Sequence, residues 1–285
     1  MVLLYRRRGV KMKADLHMHS TSSDGTLSSF DVIKRAKEHN CDLISITDHD
    51  ICTLVDENMK VAKDLGVIYL PGIELSTTCE NSPVHVLGYF RGNSYNNEEI
   101  INYYKEIRLA RETRARKFIK NLKEFFNIEI TYEEVFSYSK GVVTRPHIAK
   151  AIVNNYPEYA FNEVFIKFIG DNSKAYVPAC ELSVKDGIDL LRRNNCVVVL
   201  AHPTLLKSHI KEYVLSQDFD GFEGVYFRNK PGEEEEFRKI AKDRNLIITG
   251  GSDFHRIVGD DTHGDIGEIY IEGNDLTKFL EIYNN

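Results

Sequence analysis

Short apolar segments typical of β-strands recur in the first and last thirds of the chain, and polar side chains follow them. The segment 43–47 precedes His49, and the segment 196–200 precedes His202. Segments with helical periodicity separate these strands. Such alternation favours an α/β barrel, in which the C-terminal ends of parallel strands meet at one rim. Histidines and carboxylates that are far apart in the sequence are therefore predicted to converge there.

The alternation covers residues 12–94 and 176–285, whereas the pattern from 95 to 175 is almost wholly helical. We therefore predict one barrel-like α/β domain with an inserted helical subdomain. The last strand of the barrel is predicted at 266–271, where apolar residues recur. Residues 1–11 precede a second methionine, Met12, and are predicted to be an N-terminal extension.

Three helix starts carry a Ser or Thr followed three residues later by an acidic residue. These pairs are Ser28 with Asp31, Thr131 with Glu134, and Ser183 with Asp186. The spacing allows the hydroxyl oxygen to accept a hydrogen bond from the backbone of the first helical turn. It therefore predicts helices that begin just after residues 28, 131 and 183.

Charge and cysteine content limit the partners of the chain. The formal net charge is -6 over 285 residues, whereas a protein that follows duplex DNA is usually basic. The five cysteines include no CxxC pair, and their odd number favours a reducing compartment such as the cytoplasm. No apolar run reaches the roughly 18 residues of a membrane span. We expect neither a membrane nor a long duplex as partner, and the sequence does not indicate an oligomeric state.

The candidate metal ligands are imidazoles and carboxylates at or near the predicted strand ends. They are His17, His19, Asp24, His49, Glu74, His85, His202, Asp253 and His255. Such donors suit Zn, Mn or Fe better than a soft metal. Their number exceeds what one tetrahedral ion needs and favours two or three divalent ions joined by a carboxylate. That arrangement is typical of phosphoryl hydrolysis.

A lone histidine after a strand is more often structural than a ligand. Here, however, six of the ten histidines follow predicted strands beside carboxylates, and such clusters mark sites. Asp15, Asp48 and Asp50 are expected to orient ligating histidines. His209 and His263 are expected to lie at the surface.

The motifs resemble those of the PHP (polymerase and histidinol phosphatase) domain family from about residue 13 to 271. They occur in the family's order: 15–20, 23–25, 47–50, 72–74, His85, 201–203 and 251–255. The helical insertion, with Thr-Arg-Pro-His at 144–147, is similar to the insertion found in the branch of the family that acts on nucleotides. That branch contains AMP phosphatases, nucleoside 3′,5′-bisphosphate phosphatases and 5′–3′ exoribonucleases. The resemblance implies a distorted (β/α)7 barrel with a trinuclear metal site.

The resemblance also implies which residues would bind which ion. His17, His19, Glu74 and Asp253 would hold one ion; Asp24, His49 and His255 a second; Glu74, His85 and His202 a third, with Glu74 as the bridge. Arg145 and His147 resemble the family's phosphate-contacting pair, although Arg145 would also suit an exposed helix start. Lys174 is similar to a family lysine near the substrate, but a solvated loop residue would look the same.

The predicted activity is hydrolysis of a phosphate monoester by water that the ions activate, without a protein nucleophile. The substrate is expected to be a phosphorylated small molecule, either a nucleotide (AMP or a nucleoside 3′,5′-bisphosphate) or a short RNA 5′ end. A histidinol-phosphatase-type enzyme, an amidohydrolase, a polymerase-associated proofreading domain and a non-catalytic metal-binding module remain as alternatives. The early Asp24 and the 47–50 motif argue against an amidohydrolase, and the complete ligand set argues against a module without activity.

Overall fold

A seven-stranded sheet that curls into a nearly closed barrel forms the centre of the molecule. The structure is a computed structural model that describes residues 12–178, 182–256 and 262–285, so the predicted extension at 1–11 lies outside the described residues. The strands are β1 (Ala14–Asp15), β2 (Leu43–Ile46), β3 (Ile68–Cys79), β4 (Ser82–Phe90), β5 (Cys196–Leu200), β6 (Gly221–Tyr226) and β7 (Ile247–Gly251), and they neighbour one another in chain order. Leu16 N donates to Gly250 O at 3.2 Å and brings the first and last strands together. The predicted distorted seven-stranded barrel is confirmed.

Strand β4 runs against both of its neighbours, whereas β1–β3 and β5–β7 are parallel. The cause is the two-residue connection between β3 and β4, in which Glu80 and Asn81 have φ values of 47° and 58°. Two consecutive positive φ values are typical of the tight turn of an antiparallel hairpin. The expectation that all barrel strands run parallel is therefore wrong for β4. Nevertheless, His85 near the start of β4 lies opposite Ser76 and on the same rim as Glu74.

Ten α-helices surround or extend this sheet in the described residues. They are α1 (Ser29–Glu38), α2 (Val55–Leu65), α3 (Glu98–Phe126), α4 (Tyr132–Ser137), α5 (Arg145–Asn155), α6 (Phe161–Val164), α7 (Val184–Arg193), α8 (Ser208–Leu215), α9 (Glu233–Asp243) and α10 (Gly273–Asn284). Single turns of 3₁₀-helix cover Ser94–Asn96 and Pro203–Leu205, and a π-helical turn covers Phe165–Ile169. None of the helices within the described ranges combines the length and the apolar character that crossing a membrane requires.

The predicted helix starts are confirmed by their hydrogen bonds. Ser28 Oγ accepts from Asp31 N at 3.2 Å, and Ser183 Oγ accepts from Asp186 N at 3.1 Å. Thr131 and Glu134 form a reciprocal capping box. Such caps satisfy amide groups that the first helical turn leaves unpaired.

The strand predicted at 266–271 is absent. Gly267 has a φ of +72° and donates its backbone N–H to Asp15 Oδ2 at 2.8 Å, so the chain turns there. Only Ile271 forms a single bridge, to Ala14. The helix α10 that follows, not anticipated from the sequence, buries Leu276 and Phe279 against residues of the sheet.

Two regions of hydrophobic packing matter for the site. Clusters on both faces of the sheet unite the barrel strands with their surrounding helices. A separate cluster, centred on Phe118, Leu122, Ile148 and Ile152, unites α3, α4, α5 and α6. Helices α4, α5 and α6 and the later part of α3 therefore have an apolar core of their own, whereas α7 and the start of α3 pack on the barrel.

Candidate metal centre

All nine predicted ligands lie at one rim of the barrel. Their positions depend on tight backbone geometry where β1 meets β7: a Cβ at Gly251 would lie 2.4 Å from the backbone nitrogen of His17. Asp253 has a φ of 53° and His202 a φ of 25°. Non-glycine residues held in such regions cost about 1–3 kcal/mol each and concentrate at functional sites. The Asp253 backbone is fixed by a 2.8 Å hydrogen bond from its N–H to His17 O.

The first ligand group consists of His17, His19, Glu74 and Asp253, as the family resemblance implied. The Nε2 atoms of His17 and His19 are 3.2 Å apart. Each lies 3.2 Å from Asp253 Oδ1, and His19 Nε2 lies 3.1 Å from Glu74 Oε2. The donor atoms of these four side chains lie close enough together to hold one divalent ion.

The second group centres on Asp24 in the loop after β1. Its carboxylate oxygens lie 3.8 Å from His49 Nε2 and 3.5 Å from His255 Nε2. The structure adds His19 to this group, because its Nδ1 lies 3.7 Å from Asp24 Oδ1. His19 therefore presents one ring nitrogen to each of the first two groups.

Glu74 lies at the centre of the whole arrangement. Its Oε1 is 2.9 Å from His85 Nδ1 and 2.9 Å from His202 Nε2. Its Oε2 is 3.0 Å from His49 Nδ1 and 3.1 Å from His19 Nε2. The two oxygens of one carboxylate thus point to different sets of imidazoles, which is the geometry that a bridging ligand requires.

Unpaired polar atoms indicate that this donor set fits metal ions. Asp24 Oδ1, His49 Nδ1 and Glu74 Oε2 are buried and make no hydrogen bond of good geometry, although His49 Nδ1 and Glu74 Oε2 are only 3.0 Å apart. A buried polar atom without a partner is costly, and each exception in a folded protein needs an explanation. Because all three atoms belong to predicted ligands, divalent cations would satisfy them. No thiolate contributes to the groups found among the described residues, which fits Zn, Mn or Fe.

The protonation of the cluster is coupled to metal binding. Burial opposes charge on His19, but the carboxylates of Asp253 and Glu74 outweigh it and raise the pKa of the imidazole to about 10. Burial lowers the pKa of His49 to about 3, so this ring is neutral and ready to bind a metal ion. An ion that binds His19 must displace its proton. Metal affinity should therefore rise with pH.

Glu223 in β6 is a buried carboxylate that the sequence analysis did not single out. Its oxygens lie 2.9 and 3.1 Å from His17 Nδ1, and Oε2 accepts from His202 N at 2.8 Å. It therefore fixes the ring of one predicted ligand and the backbone of another. A glutamate within the apolar strand segment 221–226 was the signal available in the sequence. Tyr226, on the same strand, donates its hydroxyl to Asp253 Oδ2 at 2.9 Å.

His263 does not lie apart at the surface, so that expectation was wrong. Its ring stacks on His255 with centroids 4.2 Å apart, and its Nε2 lies 3.8 Å from Asp253 Oδ2. With Asp253 and His255 it forms a further group able to hold an ion. No sequence pattern indicated this contact, because His263 does not follow a predicted strand.

The aspartates near the motifs accept hydrogen bonds from backbone and loop groups, and within the described residues none of these bonds comes from a ligating imidazole. Asp15 accepts hydrogen bonds from the N–H groups of His17, Ser252 and Gly267. Asp48 accepts from Ser20 and Ser23 in the loop after β1. The aspartates therefore support the ligands through the chain that carries them, so the orientation of the histidines that we expected from them would be indirect.

Asp50 has a different partner from those two aspartates. It accepts from Ser76 N at 2.6 Å and forms a buried ion pair with Arg111 of α3. This pair joins the loop after β2 to the helical segment.

The three predicted substrate residues have different surroundings. His147 is buried, and its Nδ1 accepts from Thr144 N at 3.0 Å. Burial lowers the pKa of His147, although Asp24 nearby opposes that shift, so the ring is neutral. Arg145 begins α5 and pairs with Asp171 at 2.7 Å. Lys174 is exposed, and no contact joins it to the metal-ligand groups in the described residues.

Relatives with known names align with most of this chain. The family model described as "PHP domain" matches residues 15–186. A 5′–3′ exoribonuclease of Haemophilus influenzae is 26% identical over 251 residues, which are 85% of this chain and 90% of that protein. A 3′,5′-nucleoside bisphosphate phosphatase of Chromobacterium violaceum is 27% identical over 249 residues, covering 85% and 86% of the two chains.

Solved structures agree with that relationship. A protein of Bifidobacterium adolescentis, provisionally described as a metal-dependent phosphoesterase, has a TM-score of 0.82 and 27% identity, covering 94% of this chain and 96% of its own. A Chromobacterium violaceum protein described as an amidohydrolase has the same TM-score at 24% identity, and this likeness concerns the fold alone. The matched family model, the barrel and the converging donors lead to one conclusion: the chain belongs to the PHP domain family and is a metal-dependent phosphoric ester hydrolase.

Proposed function

We propose that the protein hydrolyses a phosphate monoester of a nucleotide, either a mononucleotide, a nucleoside 3′,5′-bisphosphate or the 5′ end of a short RNA. The observation that carries the proposal is the position of His147 in the helical segment, near enough to the ligand Asp24 for that carboxylate to act on its pKa; Arg145 begins the same helix. The relatives named for RNA and nucleoside bisphosphates support a nucleotide substrate. The net charge of -6 agrees with a small substrate more than with a long duplex.

We assign two or three divalent ions, Mn, Zn or Fe, to the cluster. His17, His19, Glu74 and Asp253 would hold the first; Asp24, His49 and His255 the second; Glu74, His85 and His202 the third. Bound ions of this kind supply an activated water and neutralise charge on the phosphoryl group. Glu223 would keep His17 in the orientation that the first site needs.

The helical segment 95–175 would cap the barrel formed by 12–94 and 176–285. Its separate hydrophobic cluster supports treating it as a distinct unit. Arg145 would bind the phosphate oxygens through its planar guanidinium, which matches phosphate geometry. His147 would donate from Nε2 because its Nδ1 is occupied as an acceptor from Thr144. Lys174 would bind only if its exposed loop closes over the substrate.

The experiment is phosphate release from candidate substrates by protein stripped of metal and reloaded with Mn²⁺, Zn²⁺ or Fe²⁺. AMP, adenosine 3′,5′-bisphosphate, a 5′-phosphorylated oligoribonucleotide, histidinol phosphate and p-nitrophenyl phosphate would be compared. We expect kcat/KM to be highest for a nucleotide or the oligonucleotide. A preference for histidinol phosphate would favour the small-molecule alternative, and release from none of them would favour a metal-binding module.

Metal binding should also stabilise the protein. At an ion concentration 100 times Kd, one site adds about 2.7 kcal/mol, which raises the melting temperature by roughly 4–5 °C for a chain of this size. The measurement is differential scanning calorimetry with and without Mn²⁺ or Zn²⁺. Replacing His49 with Ala should reduce the shift, whereas His209→Ala at an exposed position should keep it. An equal shift in both variants would contradict the assignment of His49.

A further inference from the structure

His263 comes after β7 in the chain and was not among the nine predicted ligands. Its Nε2 lies 3.8 Å from Asp253 Oδ2, and its ring stacks on that of His255 with the centroids 4.2 Å apart. One ligand atom from each of Asp253, His255 and His263 lies within 4.8 Å of the other two. Imidazole and carboxylate donors this close together can hold a divalent ion such as Zn, Mn or Fe.

The separation between His263 and Asp253 fits a shared ion better than a direct hydrogen bond. A nitrogen and an oxygen that share a hydrogen bond lie about 2.7–3.2 Å apart, and the 3.8 Å between these two atoms exceeds that range. Two donors that each lie about 2.0–2.2 Å from one ion can be up to about 4.4 Å apart. A metal ion can therefore bridge the two side chains.

The two oxygens of Asp253 face different groups. Oδ1 lies 3.2 Å from the Nε2 atoms of both His17 and His19, in the first ligand group. Oδ2 accepts from the Tyr226 hydroxyl at 2.9 Å, and it is the oxygen that lies 3.8 Å from His263. Each carboxylate oxygen has two lone pairs, so the hydrogen bond from Tyr226 leaves Oδ2 able to bind an ion. Asp253 can therefore be shared between the first ion and an ion beside His263.

His255 has one ring nitrogen available for a metal ion. Its Nδ1 donates to the backbone oxygen of Asp253 at 2.7 Å, because a carbonyl oxygen can only accept. In the neutral ring Nε2 therefore carries the lone pair, and it lies 3.5 Å from Asp24 Oδ1 in the second ligand group. The group that contains His263 includes neither Asp24 nor His49. An ion beside His263 would therefore take Nε2 of His255 from the second ion.

The surroundings of the His263 ring suit a ligand that ions reach from solvent. A metal-binding imidazole usually donates a hydrogen bond from its second nitrogen. Thr262 Oγ1 lies 3.2 Å from Nδ1 of His263 and can accept from it, so that Nε2 faces Asp253 with its lone pair. The His263 side chain is 23% exposed, whereas those of His17 and His19 are fully buried.

We propose that Asp253, His255 and His263 form an additional metal site, the outer site, which competes with the second ion for His255. The inference rests on the ligand assignment of the proposed function, but it requires no particular substrate. The outer site would fill at ion concentrations above those that load the main centre. An excess of ions would then inhibit turnover, because the second ion would lose one of its ligands.

Equilibrium dialysis with Zn²⁺ tests the outer site through the number of bound ions and their affinities. Wild type and His209→Ala, a change at an exposed position, should bind one weaker ion per chain besides the tightly bound ions. His263→Phe keeps an aromatic ring against His255 but has no donor atom. The Kd of the weaker ion should rise in this variant by at least about a hundredfold, because loss of a group that only orients a ligand already costs about 10- to 100-fold.

Two outcomes of the dialysis would overturn the proposal. One is identical binding by wild type and His263→Phe. The other is loss of a tightly bound ion in that variant, because His263 would then belong to the main centre. His263→Ala also removes the donor atom and serves if the Phe variant does not fold.

Turnover of p-nitrophenyl phosphate at rising Zn²⁺ concentration tests the competition for His255. Turnover by wild type and His209→Ala should rise as the main centre fills and fall at higher concentrations. His263→Phe should not show the fall, because it cannot hold the outer ion. An equal fall in all three proteins would mean that excess Zn²⁺ acts elsewhere and would reject the competition. If nucleotides are not hydrolysed but the weaker ion depends on His263, the proposed function fails and the outer site stands.

Discussion

Replacing Glu74 with Gln is expected to lower turnover of any phosphate ester by more than about a thousandfold. Loss of a group that only orients a metal ligand costs about 10- to 100-fold, and Glu74 has a larger role in the geometry. Its two oxygens face different imidazoles, with His85 and His202 on one side and His19 and His49 on the other. The amide of Gln is uncharged and offers only one acceptor oxygen, so it cannot serve both sides.

The measurement pairs phosphate release with metal content per chain. Glu74→Gln should retain at least one ion fewer than wild type after dialysis, since a bridging carboxylate is shared by ions. Glu80→Gln is the matched control, because Glu80 is an exposed residue at the turn of the same β3–β4 hairpin. Wild-type metal content with wild-type turnover in Glu74→Gln would show that Glu74 does not bridge ions.

Strand ends and their polar residues were predictable because their patterns are local. His202 closely follows the apolar segment 196–200 in the sequence. In the structure this segment forms β5, and His202 lies just after the end of the strand. The helix caps at Ser28 and Ser183 depend on residues three apart and were predicted for the same reason. The convergence of the nine candidate ligands was predictable because the C-terminal ends of parallel strands meet at one rim in a barrel of this kind.

Contacts that depend on chain direction or on distant loops were not predictable. The reversal of β4 depends on a two-residue turn, Glu80-Asn81, which lacks the Asn-Gly signature that would have shown it. His263 lies near Asp253 in the structure, but neither a predicted strand nor a motif precedes it in the sequence. Glu223 occupies the middle of a strand, where a single acidic residue could equally have faced solvent. The segment 266–271 had a strand-like composition, but the hydrogen bond from Gly267 to Asp15 turns it away from the sheet.

The ion pair between Asp50 and Arg111 is expected to contribute strongly to stability, because it joins the barrel rim to α3. Asp50 is fully buried and the Arg111 side chain is 11% exposed. Removing one partner of a buried pair leaves the other charge uncompensated and costs about 3–5 kcal/mol. Arg111→Met, which keeps much of the side-chain volume, should therefore lower the free energy of unfolding by about that amount. Urea denaturation of the metal-free protein measures it without a contribution from bound ions.

Three further variants, Arg116→Met, Asp50→Asn and the double variant of Asp50→Asn with Arg111→Met, separate the ion pair from the other contacts of Arg111. Arg116→Met removes an exposed helical pair with Glu112 and should cost less than about 1 kcal/mol. Asp50→Asn combined with Arg111→Met removes both charges, so it should be less destabilising than the sum of the single changes. Because the helical segment has its own hydrophobic cluster, loss of the pair should also broaden or split the unfolding transition. A single sharp transition with additive losses would mean that the two units are coupled mainly by other contacts.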